Sequence, residues 1–248
     1  MKILRNIPGI IKAYDALKYL NEYKKEMDSA RSSGDLEKEK KNILAATRTW
    51  GTKLCEMTGV TFDVSGKENL PAEGPVVYIS NHQGYADIVV LCAVLNTVQF
   101  GFVAKENLSK VPLYGKWIDR IRSIMIQRED SRESLKSMAK GIRYIENGFS
   151  ILIFPEGTRS RGPRMGEFKK GAFKMATKPQ VPVIPVSIDG TYKIFEERGI
   201  ITAGHVKVMI HPPVETKGLS RQEEKILPEK IHDTVQNGLD LLRSDSQN

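Results

Sequence analysis

Hydrophobic residues in the first sixty positions recur at the spacing of amphipathic helices. Between residues 2 and 28 they follow steps of three and four, and lysines and arginines occupy the other face. A polar break follows, after which Asp35 has the position of an N-cap for a second helix that Gly59 would end. The pattern predicts a two-helix hairpin without strands over residues 1–59. The apolar positions of its first helix are Ile3, Leu4, Ile7, Ile10, Ile11, Tyr14, Leu17, Leu20 and Met27.

From about residue 60, short apolar runs alternate with helical patterns. The runs predicted to be strands are 76–79, 98–104, 123–127, 150–154, 181–188 and 205–210. Asp130 begins a helix with the spacing of a capping box, and another amphipathic helix is predicted over 220–243. This alternation predicts an α/β domain over residues 60–248, built on a mixed, largely parallel sheet flanked by helices.

Three prolines modify this picture. Pro182 and Pro185 lie in the run 181–188, and proline cannot donate to a strand ladder, so we expect an edge strand or a bulge there. Pro228 lies near the start of the last helix and is expected to interrupt its early part.

The charge of the chain favours an anionic partner. The 248 residues include 38 lysines and arginines against 30 acidic residues, a net charge of +8. Nucleic acid, a phosphate-bearing substrate and acidic lipid all fit that excess. Neither Cys55 nor Cys92 belongs to a C-x-x-C pair, which excludes a zinc ribbon and thioredoxin-like chemistry.

Apolar runs are too short for a membrane span, which needs about 18 to 20 residues. The first residues resemble a secretory signal, but Lys12 and Asp15 interrupt the apolar stretch and no small-residue cleavage site follows. We therefore expect the protein to stay in the cytoplasm.

Two interpretations of the N-terminal hairpin remain open at this point. Its apolar faces could pack on the α/β domain, or the first helix could lie in a membrane interface with its cations toward the headgroups. Insertion of each large aliphatic side chain is worth about 1.5–3 kcal/mol, whereas each cation near an anionic surface adds about 1 kcal/mol. Apolar insertion would thus supply most of the binding, and charge would select the leaflet.

Candidate chemistry begins directly after the first predicted strand. His82 and Asp87 are five positions apart, which is about 500° of helix, so they can meet only if His82 lies in a loop and Asp87 in the first helical turn. They would then form the His–Asp half of a triad. The sequence lacks a G-x-S-x-G elbow, so the simplest nucleophile is a hydroxyl of the substrate. The pair alone does not distinguish a catalytic from a structural role.

A second candidate segment, Phe154–Ser160, follows another strand. Gly157 permits close backbone approach there, and Arg159 offers a fork for a phosphate, although a solvated basic loop would have the same composition. Further cations follow at Arg161, Arg164, Lys169, Lys170 and Lys174. The third and fourth segments are Lys105–Arg128 and Val181–Val186.

The four segments, in this order, resemble the motifs of the 1-acylglycerol-3-phosphate acyltransferase family, bacterial type. His82 and Asp87 match its N-H-x4-D motif, and Phe154–Ser160 matches F-P-E-G-T-R-S without a change. Lys105–Arg128 and Val181–Val186 match the second and fourth blocks. The resemblance covers roughly residues 60–215 and implies the glycerolipid acyltransferase fold.

The resemblance implies transfer of a fatty acyl group from acyl-CoA or an acyl carrier protein to the sn-2 hydroxyl of 1-acylglycerol 3-phosphate, which gives phosphatidic acid. His82 would be the general base and Asp87 would orient it, and no metal or bound cofactor is expected. The implied phosphate ligands are Lys105, Arg159 and Arg128. Glu156, Gly157 and Thr158 would shape the substrate pocket, with Glu156 alternatively holding Arg159.

A lipid substrate favours the interfacial interpretation of the first helix. We therefore expect a peripheral protein on anionic lipid at the cytoplasmic face of the cell membrane, with an acyl carrier protein as a further possible partner. Nucleic acid is not expected, because RNA-recognition, helix-turn-helix and stacking-aromatic patterns are lacking. The alternatives are an acyltransferase for glycerol 3-phosphate or another lysolipid, and a basic membrane- or nucleic-acid-binding protein without activity.

Overall fold

The computed structural model describes residues 2–127 and 130–244. Its α-helices are α1 (Lys2–Asp15), α2 (Leu17–Asn21), α3 (Lys24–Ser33), α4 (Leu36–Thr58), α5 (Ala86–Val94), α6 (Tyr114–Arg120), α7 (Ser131–Glu146), α8 (Lys174–Thr177) and α9 (Arg221–Ser244). Its strands are β1 (Val60–Ser65), β2 (Val77–Ser80), β3 (Phe100–Lys105), β4 (Ile124–Ile126), β5 (Ser150–Ile153), β6 (Val183–Asp189) and β7 (Gly204–Ile210).

The strands form one seven-stranded sheet in the order β1-β7-β6-β2-β5-β3-β4. All neighbours are parallel except β6 and β7. The predicted mixed, largely parallel sheet with flanking helices is therefore confirmed. β1 is an addition that the hydrophobic pattern did not reveal: it pairs with β7 at one edge, and only its first residue is buried.

Helices cover both faces of the sheet. Alternate residues of a strand point to opposite faces, so Tyr78 packs in the core cluster that includes Trp50 and Leu91. Its neighbour Val77 packs in a second cluster, with Ile145 of α7 and Ile231 of α9. Both faces of the central strands are thus buried, which leaves their carboxyl ends as the places where polar groups gather.

The single first helix predicted over residues 2–28 is wrong, because this stretch bends into α1, α2 and α3. Leu17 and Leu20 of α2 and Met27 of α3 are buried against the rest of the protein, so tertiary packing outweighs the continuous helical pattern there. The second helix is as predicted: the Asp35 side chain caps α4, and Gly59 ends it in the left-handed conformation at φ 75°.

α4 joins the N-terminal helices to the sheet. It crosses α5 closely at Gly51, where a Cβ atom would lie 2.7 Å from the Val89 carbonyl oxygen. Glu39 of α4 is fully buried, and both of its oxygens accept 2.7 Å hydrogen bonds from Arg122. For α2, α3 and α4, the structure therefore agrees with the interpretation in which the hairpin packs on the α/β domain.

α1 differs from the helices that follow it. The large apolar side chains from Leu4 onward are exposed, with Leu4 itself at 70% and Ile11 at 61%. Its polar Asn6 is instead held: the side chain donates to the Gly199 carbonyl at 2.9 Å and accepts from the Ile201 N–H at 2.8 Å. Among the described helices, none has the length and apolar character to cross a membrane.

Two of the proline expectations are wrong. β6 lies inside the sheet between β2 and β7. The Pro185 carbonyl accepts a hydrogen bond from the His211 N–H, just beyond the end of β7. Because the N–H and C=O of a strand residue point to the same neighbour, the N–H that proline lacks would also have faced this position. Proline is tolerated there because the β6–β7 hydrogen bonds end at that point. α9 runs unbroken through Pro228, which is buried beside Leu227 and Ile231, so packing outweighs one lost helix hydrogen bond.

Candidate active site

The candidate site lies where three neighbouring parallel strands, β6, β2 and β5, end at the same edge of the sheet. His82 follows β2 in a loop, and Asp87 lies in the first turn of α5. Glu156 and Arg159 follow β5, and Thr191 follows β6. Crevices outside the carboxyl ends of parallel strands are the usual ligand sites of α/β folds.

The structure brings His82 and Asp87 together. His82 Nδ1 lies 2.6 Å from Asp87 Oδ2, and the Asp87 side chain is fully buried. The backbone N–H groups of Gln83 and Gly84 donate to the same oxygen at 2.8 and 3.0 Å, and the Thr191 hydroxyl donates to Oδ1. Four donors therefore surround the two oxygens of this buried carboxylate and fix its position.

This arrangement fixes the tautomer of His82. A carboxylate oxygen that already accepts two backbone hydrogen bonds requires a donor from the imidazole, so Nδ1 carries the proton and Nε2 is the acceptor. The ring stacks on Phe154 with centroids 4.1 Å apart and 15° between the planes. His82 Nε2 has no hydrogen-bond partner among residues 2–127 and 130–244, and 18% of the side chain is exposed. The ring is therefore held as a base that faces solvent.

Glu156 joins the loop of His82 to the segment after β5. Its Oε1 accepts from the His82 N–H at 2.6 Å and its Oε2 from the Gly166 N–H at 2.8 Å. Burial raises the pKa of the Glu156 carboxyl, and these two hydrogen bonds oppose part of the rise. The alternative in which Glu156 holds Arg159 is wrong, because the acid that contacts Arg159 is Glu196.

Arg159 is fixed on two sides. Its Nη1 donates to Glu196 Oε1 at 2.8 Å, and its guanidinium carbon lies 3.6 Å from the centre of the Tyr85 ring. Glu196 follows β6, outside all four sequence motifs. The Asp189-Gly190-Thr191 turn, at the end of a predicted strand, could have indicated that this region lies at the site. No feature of the sequence identified Glu196 itself.

The other predicted site residues lie around this centre. Lys105 ends β3, two strands from β2, or about 10 Å at the usual strand spacing. Arg159 contacts Tyr85 after β2 and Glu196 after β6, whereas Lys105 lies on the β3 side of the sheet. Gly157 adopts a φ of 73°, and a Cβ atom there would lie 2.8 Å from Lys169 Nζ. Thr158 is exposed and lines a groove of about 480 Å³ beside Glu156. Arg128 lies outside the described residues.

Side chains that could hold a metal ion do not cluster anywhere in the two described ranges. The chemistry available at the site is that of an oriented histidine base, a buried carboxylate and nearby cations. Such a set can take a proton from a hydroxyl and bind a phosphate.

Comparison with known proteins agrees with this chemistry. The family model described as Acyltransferase matches residues 61–189, which contain both His82 and Asp87. The chain belongs to this acyltransferase family.

Individual relatives define the group more narrowly. A 1-acyl-sn-glycerol-3-phosphate acyltransferase of Borreliella burgdorferi is 30% identical over 75% of each chain. The chloroplastic one of Brassica napus is 37% identical over 61% of this chain. The crystal structure of the 1-acyl-sn-glycerophosphate acyltransferase PlsC from Thermotoga maritima superposes with a TM-score of 0.80, at 28% identity and 98% coverage of each chain. Within the family, the chain groups with the 1-acyl-sn-glycerol-3-phosphate acyltransferases.

The matched lengths differ among these relatives. The chain spans 44% of the Brassica napus protein and 43% of a related chloroplastic protein of Arabidopsis thaliana.

Proposed function

We propose that the protein transfers a fatty acyl group from an acyl thioester to the sn-2 hydroxyl of 1-acylglycerol 3-phosphate, which gives phosphatidic acid. The observation that carries the proposal is the hydrogen bond from His82 to the buried Asp87, with Nε2 unpartnered by any residue that the structure describes. The family membership and the named relatives support the choice of substrate.

The reaction follows from the orientation of the imidazole. His82 Nε2 takes the hydroxyl proton as the oxygen attacks the thioester carbonyl, and Asp87 stabilises the resulting imidazolium. Collapse of the tetrahedral intermediate breaks the C–S bond, and the thiolate takes the proton from His82. The protein forms no covalent bond to the acyl group, and an activated thioester calls for no bound cofactor, so transfer should persist in a chelator.

Arg159 and Lys105 bind the phosphate in this proposal. Arg159 has one N–H on Glu196 and four further donors, and Lys105 is the last residue of β3. A doubly charged headgroup needs paired donors in a partly dry site. Arg128 is proposed as a third ligand, and the basic residues after Ser160 as contacts of the donor, either acyl-CoA or an acyl carrier protein.

A thiol-release assay with a panel of acceptors tests the function. We expect turnover with 1-acylglycerol 3-phosphate, and a loss of 10²–10⁴-fold in His82→Gln, since general-base catalysis typically contributes that much. His205→Gln is the matched control, because His205 is exposed and contacts Thr61 and Asp63 away from the dyad. Turnover retained in His82→Gln would remove His82 as the base. If glycerol 3-phosphate or a neutral lysolipid were acylated faster than 1-acylglycerol 3-phosphate, that compound would become the proposed acceptor instead.

We further propose that α1 binds the cytoplasmic face of the cell membrane. The support is its exposed apolar face together with the cations of the same helix. Leu4→Ser with Ile11→Ser should reduce partition onto anionic vesicles at least about 100-fold, because two aliphatic side chains contribute about 3 kcal/mol or more. Leu135→Ser is the control, since Leu135 is 64% exposed on α7. Unchanged co-sedimentation of the α1 variant would refute the interfacial role.

A further inference from the structure

One connection contacts both the Asp87 carboxylate and Arg159. The residues between β6 and β7 carry Thr191, which donates to Asp87, and Glu196, which contacts Arg159. Within this connection, Glu196 stands out because its buried position is not accounted for by a gain in stability.

Glu196 is a carboxylate in an unusual position. Only 2% of its side chain is exposed. Oε1 accepts from Arg159 Nη1 at 2.8 Å and from the Tyr85 N–H at 2.9 Å. Oε2 is buried and lacks a hydrogen-bond partner within residues 2–127 and 130–244. A buried charge with one unsatisfied oxygen is costly, and buried ion pairs often add little stability, so its placement points to a role in the site.

The contacts of Glu196 determine how Arg159 is presented. The carboxylate holds one edge of the guanidinium, and the Tyr85 ring covers one face at 3.6 Å. The same oxygen holds the backbone of Tyr85, so the ring and the arginine share one anchor. Gly84 packs directly on Oε2, and a side chain there would displace the carboxylate. The remaining arginine donors are thereby confined to one direction.

We infer that Glu196 is a positioning residue, which aims Arg159 at the phosphate of the acceptor. This inference rests on the proposed function and adds to it a residue that touches neither substrate. It assigns Glu196 an effect on the KM of a phosphate-bearing acceptor and little effect on a neutral one.

Three substitutions separate geometry from charge. Glu196→Gln keeps an acceptor oxygen for Arg159 and Tyr85, so KM for 1-acylglycerol 3-phosphate should stay within about threefold of wild type. Glu196→Ala removes the anchor and Glu196→Asp withdraws it by one methylene, so both should raise that KM tenfold or more. With a monoacylglycerol acceptor, all three variants should match wild type. Glu197→Ala is the control, because its side chain is 46% exposed and lies 3.7 Å from Arg198.

A double-mutant cycle tests whether Glu196 acts through Arg159. The KM of Arg159→Ala/Glu196→Ala should equal that of Arg159→Ala alone, since residues that act through one another are not additive. Thermal unfolding of each variant checks the fold, and Glu196→Asp replaces the alanine variant in the cycle if the latter does not fold.

The outcomes separate the two proposals. Absence of transfer to 1-acylglycerol 3-phosphate by wild type refutes the proposed function. Wild-type transfer with an unchanged KM in the alanine and aspartate variants refutes the positioning role. Additive effects in the cycle, or an equal loss with the neutral acceptor, refute it as well.

Discussion

Replacement of Asp87 by asparagine isolates the electrostatic part of the proposed catalysis. Two backbone N–H groups and His82 Nδ1 donate to Asp87 Oδ2. The amide oxygen of asparagine must take that place, since an NH₂ group would meet three donors. The NH₂ group then faces Thr191 Oγ1, which can turn its own proton toward Gln83 Oε1, 3.3 Å away. The tautomer of His82 is therefore kept, and only the negative charge is lost.

The size of the effect follows from Coulomb's law. The Nδ1–Oδ2 distance is 2.6 Å, and the centres of the two charged groups are about 4 Å apart. At an effective dielectric constant of about 20, this gives about 4 kcal/mol of stabilisation for the imidazolium. Since about 1.4 kcal/mol corresponds to a tenfold change in rate, kcat of Asp87→Asn should fall about 10³-fold.

A thiol-release assay at saturating acceptor measures that loss. KM for 1-acylglycerol 3-phosphate should change little, because Asp87 is buried away from the substrate in this scheme. ¹⁵N NMR of the variant should still report a proton on His82 Nδ1. A fall in kcat below tenfold, with that tautomer intact, would contradict the proposed role of the Asp87 charge.

Two predictions concern the packing of α9 on the sheet. Gly238→Ala should destabilise the protein by about 1–3 kcal/mol in urea unfolding, because the new methyl group would collide with Ser187 Oγ and the His211 ring. Gly171→Ala is the control and should be neutral, because a Cβ atom at Gly171 meets open space. Equal urea midpoints for Gly238→Ala and wild type would contradict this packing. Burial lowers the pKa of His211, so its contribution to stability is present above about pH 6.5 and is lost as the pH falls through its native pKa. The urea midpoint should drop from pH 7.5 to 5.5 more steeply for wild type than for His211→Gln, and parallel curves would exclude His211 as the cause.

Local patterns predicted much of this fold. Asp35 and Gly59 bound α4 as expected, because capping depends on a few neighbouring residues. The site motifs lie after predicted strands, and parallel strands bring their carboxyl ends together, so the approach of His82 and Asp87 was predictable.

Tertiary packing explains the errors. Pro185 can lie inside the sheet because the N–H that proline lacks would have faced the position where β7 ends. Residues 181–188 alone do not show where β7 ends. Glu196 escaped notice because its partner, Arg159, is 37 residues away in the chain. Contacts between residues that are distant in the chain do not produce a periodic pattern in the sequence.

The attachment of α1 has a kinetic consequence. Asn6 links this helix to Gly199 and Ile201, in the same connection that carries Glu196. In the proposed interfacial state, the dyad therefore stays at a fixed height above the lipid, and acceptor reaches it by lateral diffusion. The velocity should then follow the mole fraction of lysolipid in the vesicle surface, and dilution with inert lipid should lower it at constant bulk concentration.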